Sequence, residues 1–235
     1  MGWIDDLSDQ VDEIFSTDWD ERDGNVIPES EDVALKNGAV RLDATFLYAD
    51  LAGSSRFSKL CPWETTAKII RAYLACSTRL ILAYEGEIRS FDGDRVMGVF
   101  HGDFKNTHAT SCAREIDWVV EKLIDPKASE TFKSVRKNDL RVRHCVGIDT
   151  GVARAVRAGV RDNNDLIWIG RAPSLSATLS EIRNYPYCVY ISEGCYGKLP
   201  ESSKQTSGDL IWEKRSFKYL NDDITIYRTR YMKTP

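Results

Sequence analysis

Apolar residues near the N-terminus recur at intervals of three and four positions. They are Ile4, Leu7, Val11, Ile14 and Phe15. In a helix this spacing places all of them on one face, so the pattern predicts an amphipathic helix. Residues 17–39 contain glycine, proline and many acids, which is typical of a linker. We therefore predict a helical arm with a linker over residues 1–40 and one folded domain over residues 41–235.

Within residues 41–235, short apolar or alternating runs are interspersed with segments of helical length. Strands are predicted at 44–49, 87–91, 95–100, near Ile167, and at 188–192, 210–218 and 224–230. Helices are predicted at 63–84, 107–123 and 174–183. Asp92-Gly93 indicates a tight hairpin between two of the strands, and Thr150-Gly151 indicates another between 141–149 and 153–158. The mixture predicts an α+β fold.

Charge divides the chain unevenly. Residues 1–40 hold 12 acidic and 2 basic residues, whereas residues 41–235 have a net charge of +6, so that the whole chain has −4. This balance favours neither nucleic-acid binding nor a polybasic membrane surface. The six cysteines form no C-x-x-C pair and are expected to be reduced thiols.

The sequence also bears on localisation. The N-terminus lacks a basic start followed by an apolar run, which is the pattern of a signal peptide. The most apolar stretch, 73–84, is interrupted by Arg79 and is too short to span a bilayer. We therefore expect a cytoplasmic protein without direct membrane insertion.

The candidate chemistry lies in two aspartates. The chain has no G-x-x-x-x-G-K-[ST], G-x-G-x-x-G or G-x-S-x-G motif, and its three histidines have no metal-binding spacing. Asp50 ends the apolar run TFLYAD and is followed by LAGSS, while Asp94 lies in the DGD turn. Two carboxylates beside a Gly-Ser-Ser turn suit hard divalent ions that bridge a triphosphate.

Three ordered motifs resemble those of the class III nucleotidyl cyclases. They are ATFLYADLAGSSRFS, GEIRSFDGDRVMGVF, and RHCVGIDTGVARAVRAGV with the downstream IWIGRAPSLSATL. The resemblance covers about residues 42–230. It implies a ferredoxin-like cyclase domain with a central mixed or antiparallel sheet flanked by helices.

The resemblance also implies roles for single residues. Asp50 and Asp94 match the aspartates that hold two Mg²⁺ or Mn²⁺ ions, and Leu51 matches the residue whose carbonyl binds metal. Phosphate-binding positions match Gly53, Ser54, Ser55 and Lys218. In this family both subunits supply substrate residues, so a homodimer is expected.

Several positions depart from the family pattern. The purine-selecting lysine is replaced by Ser90, and the purine-selecting acid falls near Ile167. The asparagine and arginine that stabilise the transition state fall at Ser174 and Thr178, and a phosphate arginine falls at Cys145. The chain is therefore either a degenerate cyclase that binds nucleotide as a regulatory subunit, or a cyclase rebuilt for another base.

The second interpretation fits better. Tyr48 lies on the same strand face as Asp50, and Arg95 offers forked donors that suit the two carbonyls of uracil. Arg143 shares a strand face with Cys145 and is a candidate phosphate ligand, while Arg171 is a candidate substitute for the missing arginine.

The compact chain with its RSFDGDRVMGVF hairpin further resembles the pyrimidine cyclases of bacterial Pycsar antiphage defence. That resemblance implies conversion of UTP to 3′,5′-cyclic UMP and diphosphate, with a separate effector protein that senses the product. Conversion of CTP to cyclic CMP remains an alternative.

Overall fold

The computed structural model describes residues 2–235, which form two compact units. The smaller unit contains residues 2–43 and Val152–Gly170, and the larger unit contains Ala44–Gly151 and Arg171–Pro235. The helices are α1 Trp3–Ser16, α2 Ser54–Leu60, α3 Trp63–Ala83, α4 Lys105–Val119, α5 Asp125–Thr131, α6 Lys133–Lys137, α7 Arg171–Ser180, α8 Glu193–Gly197 and α9 Glu201–Lys204. A 3₁₀ turn covers Ser30–Asp32, and a π-helical segment, Val120–Ile124, follows α4.

The strands are β1 Asp20–Asp23, β2 Gly38–Ala52, β3 Glu87–Asp92, β4 Arg95–Phe100, β5 Arg143–Val160, β6 Asn163–Ile169, β7 Val189–Ser192, β8 Gln205–Thr206, β9 Asp209–Leu210, β10 Glu213–Tyr219 and β11 Asp222–Thr229. In the larger unit the strand order is β10-β11-β7-β5-β2-β4-β3. Its β5–β7 pair is parallel, whereas β2–β4, β3–β4, β7–β11 and β10–β11 are antiparallel. This sheet with its helices confirms the predicted α+β fold.

The core of the larger unit explains why its central strands are apolar on both faces. Tyr73 and Ile81 of α3 and Ile116 of α4 pack with sheet residues such as Leu47 in one buried cluster. Leu179 of α7 belongs to a second cluster with residues of β5, β7 and β11. Central strands that contribute to both clusters cannot alternate between apolar and polar positions, so they appear in the sequence as continuous hydrophobic runs.

The smaller unit is built on two strand pairs. β1 runs parallel to the beginning of β2, and β6 is antiparallel to the end of β5. Its core is a small cluster in which Val33, Val40 and Ala155 are buried. The helix α1 is confirmed with the predicted apolar stripe, and its described residues are all exposed.

Two local predictions are wrong. The predicted turn at Thr150-Gly151 does not form, because β5 continues to Val160 and reverses at Arg161-Asp162. Thr150 is instead buried and its hydroxyl donates to the Ala44 carbonyl at 3.3 Å, which fixes the strand in an extended path. The predicted linker also contains β1, whose pairing partner at Gly38–Arg41 lies too far along the chain for a local pattern to reveal.

Among the helices of residues 2–235, none combines the length and the hydrophobicity that a membrane crossing requires.

The close approach of β5 to α7 depends on Gly147. A Cβ atom at this position would lie 2.1 Å from the Ser176 carbonyl oxygen and 2.4 Å from the Ser180 amide nitrogen. Because both atoms belong to helix backbone, we expect Gly147→Ala to lower the free energy of unfolding by about 3 kcal/mol or more. Urea denaturation measures this change. The control Gly197→Ala, where a Cβ meets nothing within 4 Å, should leave stability within about 1 kcal/mol of wild type; equal losses in both variants would contradict the packing argument.

Candidate active site

The two predicted metal aspartates lie at the same end of the sheet. Asp50 is near the end of β2 and pairs with Arg95, the first residue of β4. Asp94 immediately precedes that arginine in the turn that joins β3 to β4, where Gly93 adopts the left-handed backbone conformation (φ +60°). The Leu51 amide donates to the Asp94 carbonyl at 3.4 Å, so the strand end and the turn are held together.

Asp50 is a partly desolvated carboxylate with a cationic partner. Its side chain is 15% exposed, and Arg183 donates a hydrogen bond from Nη2 to its Oδ2. Burial raises the pKa of the Asp50 carboxyl above its ordinary value, and the Asp94 charge acts in the same direction, whereas Arg183 opposes the rise. The Asp94 charge therefore acts on the Asp50 carboxyl, and two neighbouring carboxylates of this kind favour a shared cation.

Tyr48 and Arg95 lie beside this pair. The Arg95 guanidinium carbon is 5.3 Å from the centre of the Tyr48 ring, and Arg95 donates to Asp92 at 3.0 Å and to Glu181 at 3.4 Å. Burial raises the pKa of the Tyr48 phenol, which keeps it protonated near neutral pH. The two candidate base-binding residues therefore form one patch that offers an aromatic face and a forked cation.

The candidate phosphate turn, which is formed by Gly53, Ser54 and Ser55, follows directly after β2. Gly53 adopts a left-handed conformation (φ +75°), which suits glycine, and its carbonyl accepts from the amides of Arg56 and Phe57 as α2 begins. A neighbouring cavity is lined by Gly53, Arg56, Arg141, Arg143, Arg183 and other residues. Such a concentration of guanidinium groups beside a glycine turn suits a polyphosphate.

Arg143 lies within this arginine cavity. Its guanidinium carbon is 4.3 Å from the centre of the Tyr185 ring, which orients the side chain. Arg141 differs from it, because Arg141 forms an ion pair of 2.6 Å with Asp125 and much of its charge is thereby neutralised. Burial raises the pKa of Tyr185, so that its ring presents a neutral surface to Arg143.

Two other candidates lie elsewhere in the larger unit. Lys218 is on β10, separated from β2 by β11, β7 and β5, which corresponds to about 19 Å at about 4.8 Å per strand. The adjacent Tyr219 donates to Ser174 of α7 at 2.9 Å, and because side chains alternate along a strand, the exposed Lys218 lies on the other face of β10. Arg171 at the start of α7 forms an ion pair of 3.2 Å with the buried Asp149. The functional roles of Lys218 and Arg171 stay predictions.

The sequence reasoning missed Arg183 and Arg56. Arg183 follows α7 and is 133 residues from Asp50, so only tertiary folding brings the two together. Arg56 could have been recognised, because it comes directly after the Gly-Ser-Ser turn in the first motif.

Known relatives match the chain along nearly its whole length. The chain is 44% identical over 238 residues to a uridylate cyclase of Rhodovulum sp. (strain MB263), covering 100% of this chain and 99% of the relative. It is 35% identical to a uridylate cyclase of Xanthomonas perforans and 36% identical to one of Burkholderia cepacia, covering at least 96% of each chain. No family model matches the chain.

Solved structures resemble the fold at low sequence identity. A bacterial light-regulated adenylyl cyclase matches with a TM-score of 0.69 and 18% identity, over 85% of this chain and 54% of the other. The adenylyl cyclase CyaB of P. aeruginosa matches with a TM-score of 0.68 and 19% identity, over 81% and 95%. A guanylyl cyclase domain from Blastocladiella emersonii that is described as dimeric matches with a TM-score of 0.58 and 11% identity, over 80% and 97%.

The fold places the protein in the structural class of the adenylyl and guanylyl cyclase domains. Within that class, identity along nearly the whole length decides the family. The chain belongs to the uridylate cyclase family.

Proposed function

We propose that the protein is a pyrimidine nucleotide cyclase that converts UTP to 3′,5′-cyclic UMP and diphosphate. The observation that carries the proposal is the adjacency of three groups: the Asp50–Asp94 pair, the Tyr48–Arg95 patch and the arginine cavity beside Gly53. Tyr48, Asp50 and Gly53 follow one another along β2 and the turn after it, which is the order of base, metal and phosphates that a nucleotide requires. The family to which the chain belongs supports this substrate.

The donor set at the sheet end fits hard divalent cations. Asp50 and Asp94 offer carboxylate oxygens and Leu51 offers a backbone carbonyl, which are ligands that Mg²⁺ and Mn²⁺ prefer. When two such ions are bound there, they lower the pKa of the ribose 3′-hydroxyl and neutralise charge on the triphosphate. Asp50 would hold such an ion in place of its bond with Arg183, which would leave Arg183 available to phosphate.

The cationic side chains orient the triphosphate. Arg56, Arg143 and Arg183 line the same cavity as the Gly53 turn, so they bind phosphate oxygens and neutralise the charge that develops on the leaving diphosphate. This orientation aligns the α-phosphorus with the ribose 3′-oxygen. The 3′-hydroxyl loses its proton to water, the new bond forms between its oxygen and the α-phosphorus, and the bond from the α-phosphorus to the diphosphate breaks.

The base is recognised by Tyr48 and Arg95. Uracil presents two carbonyl oxygens to the forked donors of Arg95, while its ring stacks on Tyr48. Cytosine has one carbonyl and one amino group, and the carboxylates of Asp92 and Glu181 beside Arg95 are suitable acceptors for that amino group. Conversion of CTP to cyclic CMP is therefore the second candidate activity.

The active site is shared between two copies of the chain. Lys218 is about 19 Å across the sheet from Asp50, which is too far for these two side chains of one subunit to contact the same phosphate group. In a homodimer with two-fold symmetry, Lys218 of one subunit completes the site formed by Asp50 and Asp94 of the other.

The wider setting follows from the resemblance to the Pycsar cyclases. The product is a second messenger in cytoplasmic antiphage defence and is sensed by a separate effector protein. Residues 1–40 form an accessory acidic arm, and residues 41–235 form the catalytic domain.

The reaction is tested by incubating the protein separately with ATP, GTP, CTP and UTP in the presence of Mg²⁺ or Mn²⁺. We expect cyclic UMP by mass spectrometry, and a loss of at least about 100-fold in Asp50→Asn and Asp94→Asn. Asp103→Asn, which changes an exposed aspartate, is the matched control. Full activity in either active-site variant contradicts the metal roles. Metal-dependent binding without product supports the alternative of a regulatory subunit.

Selectivity is tested with Arg95→Met, which removes the forked donors and keeps most of the side-chain volume. Hydrogen bonds to a charged group contribute about 1.5–3 kcal/mol, so kcat/KM for UTP should fall by about 10- to 150-fold. The exposed Arg71 of α3 provides the control Arg71→Met. A uniform loss for all four nucleotides would contradict a role of Arg95 in base recognition.

The shared site is tested by complementation. Asp50→Asn and Lys218→Ala are co-expressed with different affinity tags, and the doubly tagged dimer is purified. Each single variant should be inactive, whereas the mixed dimer retains one complete site and roughly half the wild-type activity. Failure to isolate the mixed dimer, or an inactive mixed dimer, would contradict the two-subunit site.

A further inference from the structure

A second cluster of metal-binding side chains lies in the core of the larger unit. Asp117 on α4, His144 on β5 and Cys188 immediately before β7 bring their ligand atoms within 4.8 Å of one another. All three residues are at most 3% exposed. The proposed cyclase reaction uses none of these side chains, and three separate elements of the fold supply them.

The polar atoms of this cluster are incompletely paired by the protein. The His144 Nε2 atom is 3.1 Å from an Asp117 carboxylate oxygen, while His144 Nδ1 has no hydrogen-bond partner among residues 2–235. The Cys188 thiol is 3.8 Å from the Pro186 carbonyl and also hydrogen-bonds with Asp117. A buried polar atom without a partner costs free energy, and His144 Nδ1 belongs to a cluster of three buried metal-ligating side chains, so the cluster is a candidate ligand site.

A cavity gives access to the cluster. Asp117 lines it together with Glu121, Arg143, Arg230 and other residues, and its volume is about 380 Å³. Glu121 lies in the π-helical segment that begins three residues after Asp117, and π-helical turns are frequent at functional sites. The cavity therefore has room for a water molecule, and Glu121 is a further oxygen donor at its edge.

The donor chemistry selects the metal. Imidazole nitrogen, thiolate sulfur and carboxylate oxygen together suit Zn²⁺, whereas Mg²⁺ and Ca²⁺ prefer oxygen ligands alone. One thiolate and one carboxylate also cancel the charge of a divalent cation, which removes the cost of burying an unpaired charge. We infer that Asp117, His144 and Cys188 form a zinc site whose fourth position opens toward the cavity.

Such a site would stabilise the neighbouring arginine cavity. Zinc would join α4, β5 and the segment before β7, and Arg143 directly precedes the ligand His144. Arg143 lines both the cavity beside the zinc site and the arginine cavity beside Gly53. The metal would therefore fix the backbone from which Arg143 reaches phosphate, while the oxygen ligands Asp50 and Asp94 remain a separate site.

The test uses the full chain after dialysis against a chelator. Elemental analysis after re-addition of Zn²⁺ should give one tightly bound ion per chain. Co²⁺ in its place should produce a near-ultraviolet thiolate-to-cobalt absorption band, which Asp50 and Asp94 cannot generate because they supply only oxygen. We expect Cys188→Ser and His144→Gln to lose at least about 100-fold in zinc affinity. Cys112→Ser, which changes another buried cysteine outside the cluster, should bind as wild type does.

Circular dichroism would reveal a variant that fails to fold. The cobalt spectrum of the wild-type protein still tests the inference in that case. Cobalt binding without a thiolate band, or no retained zinc or cobalt, would overturn the inference. An unchanged band in folded Cys188→Ser would also overturn it, because another cysteine would then be the ligand.

Discussion

The antiparallel pairing of β2 with β4 is the constraint on which the candidate site depends. It places Asp50 opposite Arg95, and the tight turn that starts β4 then brings Asp94 next to the end of β2. Because side chains alternate along a strand, Tyr48 also lies on the Asp50 face. A slip of one residue would turn Asp50 and Tyr48 toward the opposite face and separate them from Arg95. Strand register therefore determines the candidate metal and base positions together.

Electrostatic interactions explain how the fold tolerates Asp50 and Asp94 as neighbouring carboxylates. A half-buried carboxylate beside a second carboxylate is unfavourable, and the raised pKa of Asp50 expresses that cost. Arg183 offsets part of the cost and belongs to the same cavity as Arg56 and Arg143. The chain as a whole is acidic, yet the surface beside the phosphate turn is cationic. A local charge pattern of this kind, rather than the net charge, decides which ligand is attracted.

The parts of the molecule that sequence predicted are those that local patterns encode. The β3–β4 hairpin, α3 and the aspartate pair follow from turn residues and apolar periodicity over short stretches. Arg183 could not be predicted, because its contact with Asp50 spans 133 residues. The path of β5 through Thr150 was mispredicted for a related reason, since a buried hydroxyl bond to Ala44 outweighs a local turn preference. The Asp117, His144 and Cys188 cluster likewise has no sequence spacing that marks it.

Two tasks of a cyclase, which are base selection and completion of the triphosphate site, would use residues toward opposite edges of the sheet. In the proposed dimer, the metal aspartates and the base-binding patch belong to one subunit, because β2 and β4 carry both. Lys218 lies on β10 at the opposite edge of the same sheet, and in the proposed dimer it would reach substrate only across the two-fold axis. In that arrangement one subunit would select the base and supply Arg56, Arg143 and Arg183 for the triphosphate, whereas Lys218 would be added only on association. A monomer of this architecture would recognise a pyrimidine nucleotide without the full set of groups that cyclise it, so dimer formation itself would control catalysis.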